Sequence, residues 1–241
     1  MGTQTLSHAD LFKAGDAKGP LLSDGARGAF VNIPTVEIIT TPVAGAVATI
    51  SAALATPAVG NLLIDGSGVG GAIASSIWTA TAARNITITS NNAGEVAVVT
   101  AYGTDINGNP QAEEITFVGA ATIAGLKTFK TITRLAISAT GLGTISVGTG
   151  VILGLKMRAV NLVRASFENN VLVPGTFLPG STTTQTATNA DNRARLTPSA
   201  YTADIHVMYF PDFTKEGVGY GMAGKPGPNY TAADQPSSSA P

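Results

Sequence analysis

RNITITSNNAGEVAVVTAYGTDINGNPQAEEITFVGAATIAGLKTFKTITRLAISATGLGTISVGTGVILGL, residues Arg84–Leu155, alternates short apolar and polar positions between closely spaced turn signals. That pattern predicts an antiparallel β-sandwich or barrel. Ile86 and Ile88 fall on one face of a strand, Thr87 and Thr89 on the other. Asn91-Asn92-Ala93-Gly94 reads as a turn, and Val96, Val98 and Val99 as the next apolar run. Asn107-Gly108 followed by Asn109-Pro110 is the sharpest turn signal, because Asn and Gly tolerate the positive φ of tight hairpins. Ile115-Thr116-Phe117 leads through Gly119–Gly125 to a longer strand, Thr128–Ser138. Ile132 and Leu135 lie an odd distance apart, so a bulge near Thr133-Arg134 is needed to keep both on one face. Ile145 and Val147 then alternate within a frame of Gly141, Gly143, Gly148 and Gly150.

Outward from this block the chain is less regular. Val31–Ile39 reads as the first strand, stopped near Pro42. Val43–Leu54 is Ala-rich, with Val47, Ile50 and Leu54 at helical spacing but Gly and Thr favouring a strand, which is the reading adopted. Leu62-Leu63-Ile64 reads as a strand ending at Asp65-Gly66. Gly71–Ala83 is the best helix candidate, although its Ser and Thr weaken it. Trp78, the only tryptophan, reads as a packing residue. Downstream, Lys156–Val173 predicts one or two strands, and Pro174-Gly175 and Pro179-Gly180 predict turns. Ser181–Asn189 reads as a loop or a Thr-rich edge. Ala203–Phe210 is the last clear strand, with Ile205 and Val207 alternating against His206 and Met208.

The expected architecture is therefore mainly β, an antiparallel β-sandwich or barrel of jelly-roll-like type with extended N- and C-terminal arms. Residues 1–30 form the N-terminal arm, which could begin with a short helix capped by Ser7. Residues 31–213 form the β-rich body and residues 214–241 a Gly/Pro/Ser-rich tail. Neither arm can build a core of its own. Leu11, Phe12, Leu21 and Leu22 in the first arm, and Tyr220 and Tyr230 in the tail, are the candidate interface residues.

Composition narrows the function classes. The 241 residues suffice for one large β domain or two small ones. Hydrophobic residues make up 44% but charged residues only 12%, about half the usual share. With 28 glycines, the surface must be dominated by Thr, Ser, Asn, Ala and Gly. Such a surface suits a protein packed against copies of itself or a large partner. Fourteen basic against 15 acidic residues leave no basic stripe for nucleic acid. Cysteine is absent, so disulfides and thiolate metal sites are excluded. Met1–Lys13 lacks the apolar run of a secretory signal, and Val43–Val59 is too short and interrupted to span a bilayer.

No chemical motif survives inspection of its context. Gly66, Gly68 and Gly71 make a G-x-G-x-x-G run, but the acid expected about twenty residues on is missing and no βαβ repeat follows. Asp105-Ile106-Asn107-Gly108-Asn109 opens like a calcium loop, yet Pro110 and Thr116 stand where Gly and Glu are needed, so a hairpin turn is expected. His8 and His206 are the only histidines. No G-x-S-x-G elbow occurs, and Glu113-Glu114 places neighbouring carboxylates on opposite strand faces. The expectation is a non-enzymatic protein without cofactor or metal. Asn85-Ile86-Thr87 and Asn229-Tyr230-Thr231 are glycosylation sequons.

The ordered segments RNITIT, GTDINGNPQAEEI, KTFKTITRLAIS, GTISVGTG and LGL resemble a group of small virion structural proteins of tailed bacteriophages. Asp191-Asn192-Arg193-Ala194-Arg195-Leu196-Thr197-Pro198-Ser199-Ala200 resembles that group's D-x-R-G-x-x-x-P-S segment, with Ala194 in the glycine's place. The matches cover about half of the chain. The resemblance implies a capsid decoration (cement) protein at the virion surface, made in the host cytoplasm. Its partners would be the major capsid protein and copies of itself, as a homotrimer, with no direct nucleic-acid or membrane contact. The alternative is a head-fibre or tail component contacting the host surface. A carbohydrate-binding or carbohydrate-cleaving β domain is the third class.

Overall fold

In the computed structural model the block read from Arg84 onward is one continuous antiparallel unit. Strands β5 (Ile77–Ser90), β6 (Val98–Thr104), β7 (Pro110–Thr116), β8 (Thr122–Ile137) and β9 (Thr144–Gly154) lie side by side in the order β9-β5-β8-β6-β7. The structure describes residues 34–168, 171–181, 186–188, 191–201 and 203–211. The described residues are mainly β and contain no helix.

The long strands form because β-branched and aromatic residues alternate with Thr, Ser and Gly. The predicted irregularity lies at Thr133. Tyr102 pairs with Arg134 but Gly103 pairs with Ile132, so Thr133 is an extra residue. Thr133 and Arg134 are both exposed, while Ile132 and Leu135 both point into the core. The bulge turns the Arg134 guanidinium over the Tyr102 ring, 3.8 Å from its centre. Asn107-Gly108 sits at the tip of the β6–β7 hairpin, with Gly108 at φ 83°.

Further strands extend this sheet to ten: β2 (Ser51–Ala55) pairs with β9, β3 (Gly60–Leu62) with β8, and β4 (Gly71–Ala74) with β5. Beyond β9 lie β12 (Arg195–Pro198) and β11 (Gly175–Leu178). The segment read as a helix, Gly71–Ala83, is instead the β4–β5 hairpin. Ala74 pairs with Ile77 across a two-residue turn, Ser75-Ser76, with φ of 51° and 58°. Two positive φ values are the signature of a type I′ turn, whose twist matches the strands it joins. Ser, Thr and Ile lose little by leaving a helix, and pairing Trp78 with Ile132 of β8 buries the indole completely. Val43–Ile50 is an irregular segment, and of the expected strand Val43–Leu54 only Ser51–Leu54 lies in a strand, β2.

A second, three-stranded sheet has the order β1-β13-β10, from β1 (Thr35–Ile39), β13 (Ile205–Pro211) and β10 (Ala159–Phe167). The alternation read in β13 is realised: Ile205, Val207 and Tyr209 are buried. The arrangement is sandwich-like, with two apolar cores. One gathers Ile50, Trp78, Ile86, Ile88, Val99, Phe117, Phe129 and Ile132 on the ten-stranded sheet. The other packs Ile39, Phe167, Ile205, Val207 and Tyr209 against Leu153, Leu155 and Leu196.

Candidate functional site

Two features of the body stand out chemically: a buried charged network and an open cleft beside β1. The network begins at Asp105, which closes the β6–β7 turn. Its Oδ1 accepts from the amides of Asn107 (2.7 Å) and Asn109 (2.8 Å), and Oδ2 accepts from the Asn109 side chain. This is an Asx turn, which spends on the hairpin's own backbone the oxygens a calcium loop would aim at an ion. Oδ2 also lies 2.7 Å from Nη1 of Arg193. Arg193 reaches Asp191 through Nε and Nη2 (2.9 and 2.7 Å) and Gln111 Oε1 through Nη2 (3.0 Å). Asp191 Oδ2 in turn accepts from the Thr128 amide and hydroxyl. Asp105, Asp191 and Arg193 are fully buried. Burial pushes the Asp191 carboxyl up, but the Arg193 charge and hydrogen bonds outweigh it and hold the carboxyl below its ordinary value. The network thus pins the Asp191–Arg195 segment across β7 and β8.

Beside it lie Glu113 and Lys127. Glu113 Oε1 accepts from the amides of Leu126 and Lys127, while Oε2 is buried without a hydrogen-bond partner. Burial raises its pKa to about 7. A Cβ at Gly125 would meet Oε2 at 2.5 Å, so glycine is required for the carboxylate to fit. Glu114 is exposed on the other face, as the strand alternation requires. Lys127 Nζ donates to the carbonyls of Ala112 and Thr186. These charges fasten chain segments together; they line none of the clefts described below.

The cleft beside β1 has a volume of about 410 Å³. One wall is Val36–Thr40; the other includes Thr81–Ala83, Lys130, Gly154 and Lys156. Glu37 Oε1 accepts from the Tyr209 hydroxyl and, like Oε2, from the Lys156 amide. Burial raises the Glu37 pKa. Lys130 Nζ donates to the carbonyls of Ala80 (2.6 Å) and Thr81 (3.1 Å), where β5 leaves its regular register with β8. A second groove of about 400 Å³ runs over Ala46, Thr87, Ala124 and Gly150 and is mostly apolar.

The motifs weighed in the sequence meet different fates. In the glycine run, the amides of Gly66, Ser67 and Gly68 donate to the carbonyls of Ile50, Ala48 and Thr49. They are spent on backbone, and strand β4 follows rather than a helix, so a phosphate cradle is not built there. Asn85 of the first sequon is fully buried, with Nδ2 donating to Gly125 O and Oδ1 accepting from Ile152; it is no glycan acceptor. His206 lies in β13. His8 and all six proposed interface residues, Leu11, Phe12, Leu21, Leu22, Tyr220 and Tyr230, lie outside the described residues. Among the described residues, no group of three or more His, Asp or Glu side chains is placed to hold a metal ion. Sequence reading missed the charged network, although Asp191 and Arg193 stood in a segment it singled out. No protein-family model, curated protein or solved structure matches the chain.

Proposed function

We propose that this chain is a non-enzymatic structural protein of a tailed-bacteriophage virion, binding the outer face of the head and tying capsomers together. Its partners in this reading are the major capsid protein and copies of itself, as a homotrimer. The observation that carries the reading is the distribution of exposed apolar side chains on a body with few charges. Val36, Val59, Leu63, Val96, Val118 and Leu172 are all more than half exposed. They lie on several separate strands and loops, as expected of a body contacted from more than one side. The phage-like block and the phage-like Asp191–Ala200 segment also belong to one folded unit, joined through Asp105, Arg193, Asp191 and Thr128. That supports treating the two resemblances as one.

The physical mechanism requires no active site. A protein that binds the assembled shell, and not its free subunits, stabilises assembly by mass action. Weak contacts repeated by symmetry add through avidity. Co-sedimentation tests this. The protein should pellet with assembled heads stripped of it, fail to bind unassembled capsid protein, and raise the temperature at which heads rupture. Equal binding to heads and free subunits, or binding to neither, would contradict the proposal.

A further inference from the structure

Part of the buried network has the chemistry of a reaction as well as that of an ion pair. Thr128, Gln111, Asp191 and Arg193 are all fully buried. The Thr128 hydroxyl donates to Asp191 Oδ2 at 2.9 Å, which sets a nucleophile beside a base. Arg193 orients that base through Nε and Nη2. The Gln111 carboxamide is fixed at both ends. Its Nε2 donates to the Thr128 carbonyl oxygen at 2.7 Å, and its Oε1 accepts from Arg193 Nη2 at 3.0 Å. The carboxamide is therefore bonded to the very residue that carries the hydroxyl, and its oxygen faces a cation. Gly154 leaves room beside the hydroxyl, because a Cβ there would lie 2.2 Å from Thr128 Oγ1. Asp191 is held below its ordinary value, so it is ionised at neutral pH and can accept a proton. Burial also keeps water from competing with the hydroxyl.

We propose that Thr128 and Gln111 join in an intramolecular ester, a self-made crosslink between β7 and β8. Thr128 Oγ1 attacks Gln111 Cδ as its proton passes to Asp191. The carboxamide oxygen becomes an oxyanion opposite Arg193 Nη2. Collapse expels Nε2 as ammonia, which takes the proton back from Asp191. One O–H and one C–N bond are exchanged for one C–O and one N–H bond, so neither oxidant nor cofactor takes part. Each chain reacts once, so a weakly basic carboxylate suffices where a turning-over enzyme would need a stronger one. Aligned groups within one fold reach effective concentrations of about 10⁵ M or more. The released ammonia is protonated in water, which draws the exchange forward. The ester would tie positions 17 residues apart, so that β7 could not part from β8 without breaking a covalent bond. The inference stands on these four side chains alone and does not depend on the virion reading.

Intact-mass spectrometry of the full-length protein, with its β fold checked by far-ultraviolet circular dichroism, tests this. The expected mass falls short of the sequence by one ammonia, and tandem spectra of a digest should show residue 111 joined to residue 128. Thr128→Val keeps the side-chain volume without the nucleophile and should restore the full mass. Thr128→Ser keeps a hydroxyl and should retain the deficit. Asp191→Asn should form the crosslink about a hundredfold more slowly. Full sequence mass in the folded, unsubstituted protein after prolonged incubation would overturn the proposal. So would a deficit that persists in Thr128→Val, which would place the lost ammonia elsewhere, as in cyclisation at Asn107-Gly108.

Discussion

Arg193→Met should be the most damaging single substitution in the body. Met fills much of the same volume but removes the charge that Asp105 and Asp191 share. Both carboxylates are fully buried, and each lies 2.7 Å from a guanidinium nitrogen. Removing one partner of a buried ion network costs about 3–5 kcal/mol, because the remaining charge is stranded without water. Here two charges are stranded and Gln111 Oε1 also loses a donor, which places the cost at the upper end. For a chain of this size that corresponds to a fall in Tm of roughly 6–20 °C. Arg193→Lys keeps a charge but not the fork that spans both carboxylates, so its loss should be smaller. The acid limb gives a second readout. Asp191 is held below its ordinary value of 3.8 by Arg193. Its contribution is therefore present above that pH and is lost as the pH falls through the lower native value. The gap between the native protein and R193M should narrow below about pH 4. Urea unfolding followed by far-ultraviolet circular dichroism measures both effects. A loss under about 1 kcal/mol at neutral pH would refute the view that the network fastens the Asp191–Arg195 segment.

Other outcomes follow from the same geometry. Burial holds the Glu113 pKa near 7 against an ordinary 4.5. The folded state therefore binds the proton more tightly than the unfolded chain, and stability should fall as pH rises from about 4.5 to 7, by at most about 3 kcal/mol. Glu37, raised by burial as well, adds a slope of the same sign. Glu113→Gln should flatten the profile, and an unchanged slope in urea titrations between pH 5 and 8 would contradict the assignment. A Cβ at Gly103 would collide with the Thr131 carbonyl oxygen, so Gly103→Ala should cost about 1–3 kcal/mol by overpacking, measured by the same unfolding. Replacing Ser75-Ser76 by Asn-Gly should raise stability by about 0.5–2 kcal/mol, because those residues favour the two positive φ values found there. A thermal melt showing a loss instead would contradict the turn type.

What the sequence revealed followed from what kind of force each feature uses. Alternation is a local pattern, so the central block was readable, and even its defect was: the odd spacing of Ile132 and Leu135 demanded an extra residue, found at Thr133. Trp78 was legible as a packing residue for its size and apolar bulk. Gly71–Ala83 misled because Ala-rich spacing carries a weak helix signal, while the decisive Ser75-Ser76 turn uses residues without Asn-Gly's clear preference. The charged network was hidden for a different reason. Asp105 and Arg193 are 88 positions apart in the chain, and no local rule pairs them. The edge of β1 was equally invisible, since only the sheet order shows which strands lack a second neighbour.

The central claim is best tested by counting copies of the chain per particle, by quantitative mass spectrometry of purified virions normalised to the major capsid protein. Decoration of the head predicts hundreds of copies, in a fixed simple ratio to the capsid protein. A few copies per particle would place the chain in a fibre or tail instead, and its absence from virions would contradict the account altogether.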